Sequence, residues 1–354
     1  MSTAHQSSHA DESAAISLRI QSPGRAPDES AFPEYPASWY LLCQASDLEH
    51  GPASLRALGR DLVVFRTESG QPVVMDGRCS HLGADLGRGQ VRGDCIECPF
   101  HGWRYDATGK CVHIPNEHEI PPAARQVVYP VAERHGLIFF FNGDEASFPL
   151  PFIIDAEPDD YVAAKPVEFL ADCTWYMVAA HGYDSQHFET VHSRRLHAPL
   201  LVDCPSPFAR RSTYTADVLG EAYYDRLLRR FAGKTVEISI TTWGGTIVVI
   251  TGKFARATSQ FMICLRPVED GKTRCHVIPF GRKLQNPLAR WLIQPLSLWV
   301  RRLFTGGYLI AETEALGSPR YNPRSLIEAD REMIDYFHWV ADLPRRADAG
   351  SGNA

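Results

Sequence analysis

Two short segments carry residue types that bind iron and sulfur. Cys79-Ser80-His81 is followed, after sixteen residues (82–97), by Cys98-Pro99-Phe100-His101. Each segment offers one thiolate and one imidazole. Thiolates suit iron–sulfur clusters and zinc, and imidazoles suit iron or zinc. Two thiolates on one iron and two imidazoles on the other would complete a [2Fe-2S] centre of mixed ligation. A structural Cys2His2 zinc site is the competing use. Zinc fingers usually group Cys with Cys and His with His, and the mixed halves argue against that use.

A second segment has the parts of a mononuclear site. Asp184, His187 and His192 stand in the pattern Asp-x-x-His-x4-His, with His181 just upstream. Two imidazoles and a carboxylate with open positions are the ligand set of non-haem Fe(II) oxygenases. On a regular helix, residues five apart point about 140° apart. His187 and His192 therefore cannot share a metal from one regular helix, and the spacing predicts that the helix ends or distorts between them. On this reading alone Asp184 is either a ligand-side residue or a helix cap.

The runs around these residues resemble a known family. Arg78-Cys79-Ser80-His81-Leu82-Gly83 and Cys98-Pro99-Phe100-His101-Gly102-Trp103-Arg104-Tyr105-Asp106 are similar to the two cluster loops of Rieske non-haem iron oxygenases. The Asp184–His192 pattern is similar to that family's iron motif. The resemblance runs from about Trp39 to Trp339. It is marked in arylamine N-oxygenases over the first half, and steroid 9α-hydroxylase oxygenase components share the motifs. Respiratory Rieske proteins carry a disulfide and a serine near the cluster, and this chain has Ala84, Phe100 and Trp103 at those places. Fewer hydrogen bonds to the sulfurs imply a lower reduction potential.

What the resemblance implies is specific. Cys79, His81, Cys98 and His101 would hold a [2Fe-2S] cluster. His187, His192 and an acidic residue of a C-terminal helix would hold mononuclear Fe(II). The family usually has Asp there, whereas the segment Tyr308–Leu316 offers Glu312, with Glu314 as the alternative. Asp184 would pass an electron from a cluster histidine of a neighbouring subunit, in a homotrimer. The family often has Asn at the position of His181. The implied activity is that of a terminal oxygenase. It would use O2 and electrons from a separate ferredoxin or flavin reductase to hydroxylate, N-oxygenate or demethylate a small aromatic or polycyclic substrate. A Rieske electron carrier, or a cluster-bearing lipid or small-molecule binding protein without oxygenase activity, is the alternative.

The elements that must position these residues fall into two groups. Residues 38–149 read as short strands and turns, a small all-β Rieske domain. Apolar runs Leu62–Phe65 and Val73–Met75 meet through Glu68-Ser69-Gly70, and a second hairpin turns around Ala107-Thr108-Gly109. Residues 155–343 read as a strand near Tyr161–Phe169, a helical region near Cys173–His187, five strands between Ser212 and Pro279, and helices at Pro287–Leu316 and Pro323–Val340. The expected class is α+β, with a helix-grip (START-like) catalytic domain built on an antiparallel sheet. Substrate lining is expected near Phe188, Thr242 and Trp243. Residues 1–30 are expected to be disordered and residues 344–354 to be a loose tail.

The 354 residues carry a net charge of −6, which shows no nucleic-acid footprint. No flavin or nicotinamide fingerprint is present, so the reductant must come from another protein. Seven of the nine cysteines fall outside the cluster loops and read as reduced, which points to the cytoplasm. The run Trp291–Val300 is too short to span a bilayer. It is expected to pack against the domain, with interfacial membrane contact as the other reading.

Overall fold

The computed structural model describes residues 25–117 and 119–346, without the side chains of residues 308–316. The expected disordered N-terminus and loose tail fall mostly outside these residues, as does His118. Residues 25–30 and 344–346 are packed rather than loose. The Tyr176 and Tyr321 hydroxyls donate to Glu29 and to the Pro27 carbonyl. Ala37 N–H donates to the Pro344 carbonyl at 2.8 Å.

The first half consists of strands, turns and short 3-10 segments. Its strands are β1 (Trp39–Gln44), β2 (Ala53–Ala57), β3 (Arg60–Arg66), β4 (Pro72–Asp76), β5 (Gln90–Arg92), β6 (Cys95–Glu97), β7 (Arg104–Tyr105), β8 (Cys111–His113), β9 (Val128–Tyr129), β10 (Val131–Arg134) and β11 (Leu137–Phe141). They form three antiparallel sheets, ordered β1-β11-β10, β2-β3-β4-β9 and β5-β6-β7-β8. Both expected hairpins are present, as β3–β4 and β7–β8. The unbroken apolar run of β3 follows from burial on both faces, because successive strand side chains point opposite ways. Val63 and Phe65 enter the core that holds Cys79 and Cys98. Leu62 and Val64 enter a second core with Tyr40 and Phe140.

The second half contains β12 (Tyr161–Ala163), β13 (Val167–Ala171), α1 (Trp175–Ala180), α2 (Ser185–Thr190), β14 (Arg194–Leu196), β15 (Leu201–Ser206), β16 (Ala209–Val218), α3 (Tyr223–Phe231), β17 (Thr235–Trp243), β18 (Ile247–Phe254), β19 (Thr258–Pro267), β20 (Thr273–Arg282), α4 (Pro287–Leu316) and α5 (Arg331–Ala341). The α+β expectation holds. A nine-stranded antiparallel sheet runs β12-β20-β19-β18-β17-β16-β14, with β13 also on β20 and β15 also on β16. Its two faces have different covers. Ile240, Val248 and Leu265 pack with α1 and α5. Ile247, Val249 and Met262 pack with Trp39, Phe139 and Phe141 of β1 and β11. Each such aliphatic side chain, fully buried, stabilises the fold by about 1.5–3 kcal/mol. Buried hydrogen bonds fix the same seam. Thr246 Oγ1 lies 2.7 Å from Ser38 Oγ and donates to the Trp39 carbonyl at 2.9 Å.

Three details differ from the sequence reading. Helix α3 and strands β14 and β15 are additional. Helix α5 starts at Arg331 rather than Pro323, because Asn322 and Ser325 close a turn and a 3-10 segment, Glu328–Asp330, precedes it. The apolar side of α4 is turned to solvent and does not pack on the domain: Trp291 is 75% exposed and Trp299 57%. All nine cysteines are free thiols, and four of the seven outside the cluster loops are buried.

Candidate active site and metal centres

The two loops that carry the Cys–His pairs are built alike. Cys79 N–H donates to Ala84 O at 2.8 Å, and Gly83 N–H returns to Cys79 O at 2.8 Å. Cys98 N–H donates to Trp103 O at 2.8 Å, and Gly102 N–H returns to Cys98 O at 3.1 Å. Both glycines sit at positive φ, +74° and +69°, where a side chain would be strained. Each loop thus folds back over its cysteine and pushes its histidine outward. Cys79 and Cys98 are buried and within hydrogen-bonding reach of each other. His81 and His101 are exposed, with ring centroids 4.7 Å apart. Trp103 stacks flat on His81 at 4.3 Å and 5°. Burial pushes the Cys79 thiol up, opposed by hydrogen bonds from Tyr105 and the His81 amide.

The second centre lies at the end of a broken helix. His181 opens a 3-10 turn after α1, and Asp184 caps α2 by accepting His187 N–H at 3.0 Å. Helix α2 stops at Thr190, so His192 leaves the helical path, as the five-residue spacing requires. The two Nε2 atoms of His187 and His192 then converge to 3.0 Å, both rings being buried. His181 stacks on His187 at 4.7 Å and 15°. Arg194, also buried, donates to the His192 carbonyl at 2.7 Å and contacts buried Asp225 at 3.0 Å. Glu312 and Glu314 belong to the last turns of α4, and their side chains lie outside the described residues.

Comparison with known proteins follows the same two centres. Residues 38–127 match the family described as the Rieske [2Fe-2S] domain. An aminopyrrolnitrin oxygenase of Pseudomonas fluorescens is 37% identical over 280 residues, covering 72% of this chain and 77% of that protein. The chain belongs to the Rieske non-haem iron oxygenases. A cholesterol 7-desaturase of Ciona intestinalis is 35% identical over 342 residues, covering 88% of this chain and 69% of that protein. Among solved structures, Pseudomonas putida CBB5 NdmA with caffeine superposes with a TM-score of 0.65 at 22% identity, over 85% of this chain and 89% of that one. Dicamba monooxygenase with non-haem iron gives 0.59 at 17%, over 86% and 95%.

The Rieske oxygenase is therefore an oxidoreductase whose cofactors are a [2Fe-2S] cluster and a non-haem iron. The donor sets present fit both groups. Two buried sulfurs beside two exposed imidazoles suit a cluster with one sulfur-ligated and one nitrogen-ligated iron. Two converging Nε2 atoms suit an iron that takes two histidines. Among the described residues no three His, Cys, Asp or Glu side chains converge on one point. A mixed cluster takes two side chains per iron, and the carboxylate expected to join His187 and His192 falls within residues 308–316, whose side chains lie outside the described residues.

A cavity of about 430 Å³ opens under α3 and α4; neither His187 nor His192 lines it, and Arg194 and Tyr214 stand between it and that pair. Its wall includes Tyr214 and Arg194, the latter bonded to the His192 carbonyl, Ile238, Ile240 and Ile250 on the sheet, and Phe304 on α4. Phe188 reaches it only through its stack on Tyr214, at 4.4 Å. Thr242 and Trp243 are not part of the wall, contrary to expectation. They lie further along β17, and Tyr183 Oη lies 3.3 Å from Thr242 Oγ1. Sequence reasoning missed Tyr105, Trp103 as a stacking partner, Tyr214 and Arg194. Only the first two had a local signal, being next to the second cluster loop. His113 and His197 take no part: His113 lies exposed on β8, and His197 pairs with Asp217 at 3.1 Å.

Proposed function

We propose that this oxygenase inserts oxygen into a largely apolar, aromatic or polycyclic molecule held in the 430 Å³ cavity. The observation that carries this reading is the shared wall residue Arg194, which lines the cavity and donates to the His192 carbonyl at 2.7 Å. Its aliphatic walls suit a hydrocarbon skeleton, and the few polar groups would set its orientation. The aromatic and sterol substrates in the names of the similar enzymes agree with such a lining.

In this proposal Cys79, His81, Cys98 and His101 hold the cluster, and His187, His192 and Glu312 hold the iron, with Glu314 as the alternative ligand. When bound, these groups supply single electrons and O2 activation. The protein's own residues do the positioning. Asp184 keeps α2 short and places His187 by capping it. Among the described residues its Oδ2 makes no hydrogen bond, which leaves that oxygen for a cluster histidine of a neighbouring subunit. The exposure of His81 and His101 supports such an intersubunit contact, within a homotrimer. The electron donor would be a ferredoxin or a flavin reductase.

The experiment is iron content with the visible spectrum, on the wild type and His187→Ala. The expected result is three irons per chain in the wild type and two in the variant, with the cluster spectrum unchanged and substrate-coupled O2 uptake lost. Two irons per chain in active wild type would overturn the assignment and favour an electron carrier or a binding protein.

A further inference from the structure

Helix α4 is inside out for a water-facing helix. The residues it turns to the sheet are Gln294, Leu298, Arg301 and Thr305, spaced four, three and four apart along one face. Three of the four are polar, and each is used. Gln294 donates to Arg282 O at 3.2 Å and accepts Leu284 N–H at 2.9 Å. Arg301 donates to Thr258 O at 2.9 Å, and Thr305 donates to Arg301 O at 2.9 Å. The opposite side carries Leu288, Trp291, Leu292, Leu296, Trp299 and Leu303, all more than half exposed. Aqueous surfaces rarely keep so large a contiguous apolar patch without an occupant. Helix α3, which shares the roof of the cavity with α4, adds two exposed aromatics, Tyr223 at 71% and Phe231 at 66%.

The charge around the patch identifies the occupant. The chain as a whole carries −6, yet Lys272–Gly307 contains no Asp or Glu. Arg282, Lys283, Arg290 and Arg302 are exposed there, and none pairs with a carboxylate among the described residues. A second copy of this face would bring like charges together. An anionic lipid surface meets both features, with two tryptophans at headgroup level and cations beside the phosphates. No described helix is long and apolar enough to cross a membrane, so the contact lies in the interfacial plane.

We infer that the α3/α4 face docks this oxygenase on anionic phospholipid membranes. The inner sides of the same two helices, through Tyr224, Leu228, Ser297 and Phe304, roof the cavity. A substrate dissolved in the bilayer would pass between them without crossing water. That access route rests on the oxygenase reading above, whereas lipid binding does not.

The test is co-flotation of the full-length holoenzyme with vesicles of phosphatidylcholine alone or mixed with phosphatidylglycerol. Binding is expected only to the mixed vesicles, falling as salt is raised. Arg290→Gln with Arg302→Gln should weaken it roughly 30-fold, at about fivefold per cation. Trp291→Ser with Trp299→Ser should abolish it while the cluster spectrum and folding are retained. Brominated lipid should quench wild-type tryptophan fluorescence more than that of the Trp double variant. Absence of binding to either vesicle, or equal binding by the variants, overturns the inference. So does a wild type that ignores vesicles but dissociates into smaller species when the tryptophans are replaced, since the face is then a subunit interface. Oxygenation of a water-soluble substrate separates the two proposals: its loss in all proteins would strike the function and leave the docking result standing.

Discussion

The hydroxyl of Tyr105 lies 3.1 Å from Cys79 Sγ and 3.0 Å from Ser80 Oγ. Burial, and next the hydrogen bond with Cys79, push its phenol well above the ordinary value, so it stays a protonated donor. A ligating thiolate can only accept, and a donor to it favours the more negative, reduced centre. The sequence reading expected fewer hydrogen bonds to the sulfurs than in respiratory proteins, and Tyr105 is one donor that the chain supplies. Tyr105→Phe should lower the cluster's midpoint potential by roughly 20–60 mV, equivalent to a net hydrogen bond of about 0.5–1.5 kcal/mol. Spectroelectrochemical titration checks this, and an unchanged potential would remove Tyr105 from the centre's tuning. Trp103, stacked on His81, orients the ring from outside without a polar bond.

At the scale of elements, Asp184 combines a structural and a proposed electronic task, and two substitutions separate them. Asn caps a helix about as well as Asp, whereas Ala costs about 1 kcal/mol. Asp184→Asn should keep the wild-type melting temperature, and Asp184→Ala should lower it. Both should slow cluster-to-iron electron transfer in single-turnover kinetics. Normal transfer in the Asn variant would leave Asp184 as a cap alone. The β7–β8 hairpin gives a purely structural case. Gly109 has φ +78°, and a Cβ there would fall 2.2 Å from the Gln126 carbonyl oxygen. Gly109→Ala should destabilise the cluster half by several kcal/mol, read as an earlier denaturation midpoint. That turn was legible in the sequence because its signal is local. So were the cluster loops, whose ligand types and glycines sit within six residues of each other, and the break after Thr190, which follows from helical geometry. The cavity was not legible, since its wall is gathered from strands and helices far apart in the chain. Helix α4 was misjudged although its pattern was visible. The 294-298-301-305 face is the polar one, and composition alone hid which side meets the sheet.

At the scale of the whole molecule, the nine-stranded sheet is sealed on one face by its own helices and on the other by the cluster half. Acid therefore reaches stability through groups buried at its margin. His276 of β20 lies opposite Glu168 of β13, with Nε2 3.4 Å from the carboxylate. The ion pair alone would favour the imidazolium. Burial outweighs it, supported by the positive charge of Arg266 and Arg274, and His276 is held down to about 4. Its unfolded value is about 6.5. A folded pKa below the unfolded one means that the unfolded chain takes up the proton first as pH falls. The stabilisation is complete above pH about 6.5 and is lost progressively towards pH 4. By pH 5 the loss should be about 1–2 kcal/mol, before most carboxylates begin to titrate. Thermal unfolding of the wild type between pH 7 and 5 should show a falling midpoint. In His276→Gln, which keeps the volume and a polar contact to Glu168 but cannot titrate, the slope should flatten over the same range. Parallel slopes for the two proteins would move the acid sensitivity to other groups and leave His276 a neutral packing residue.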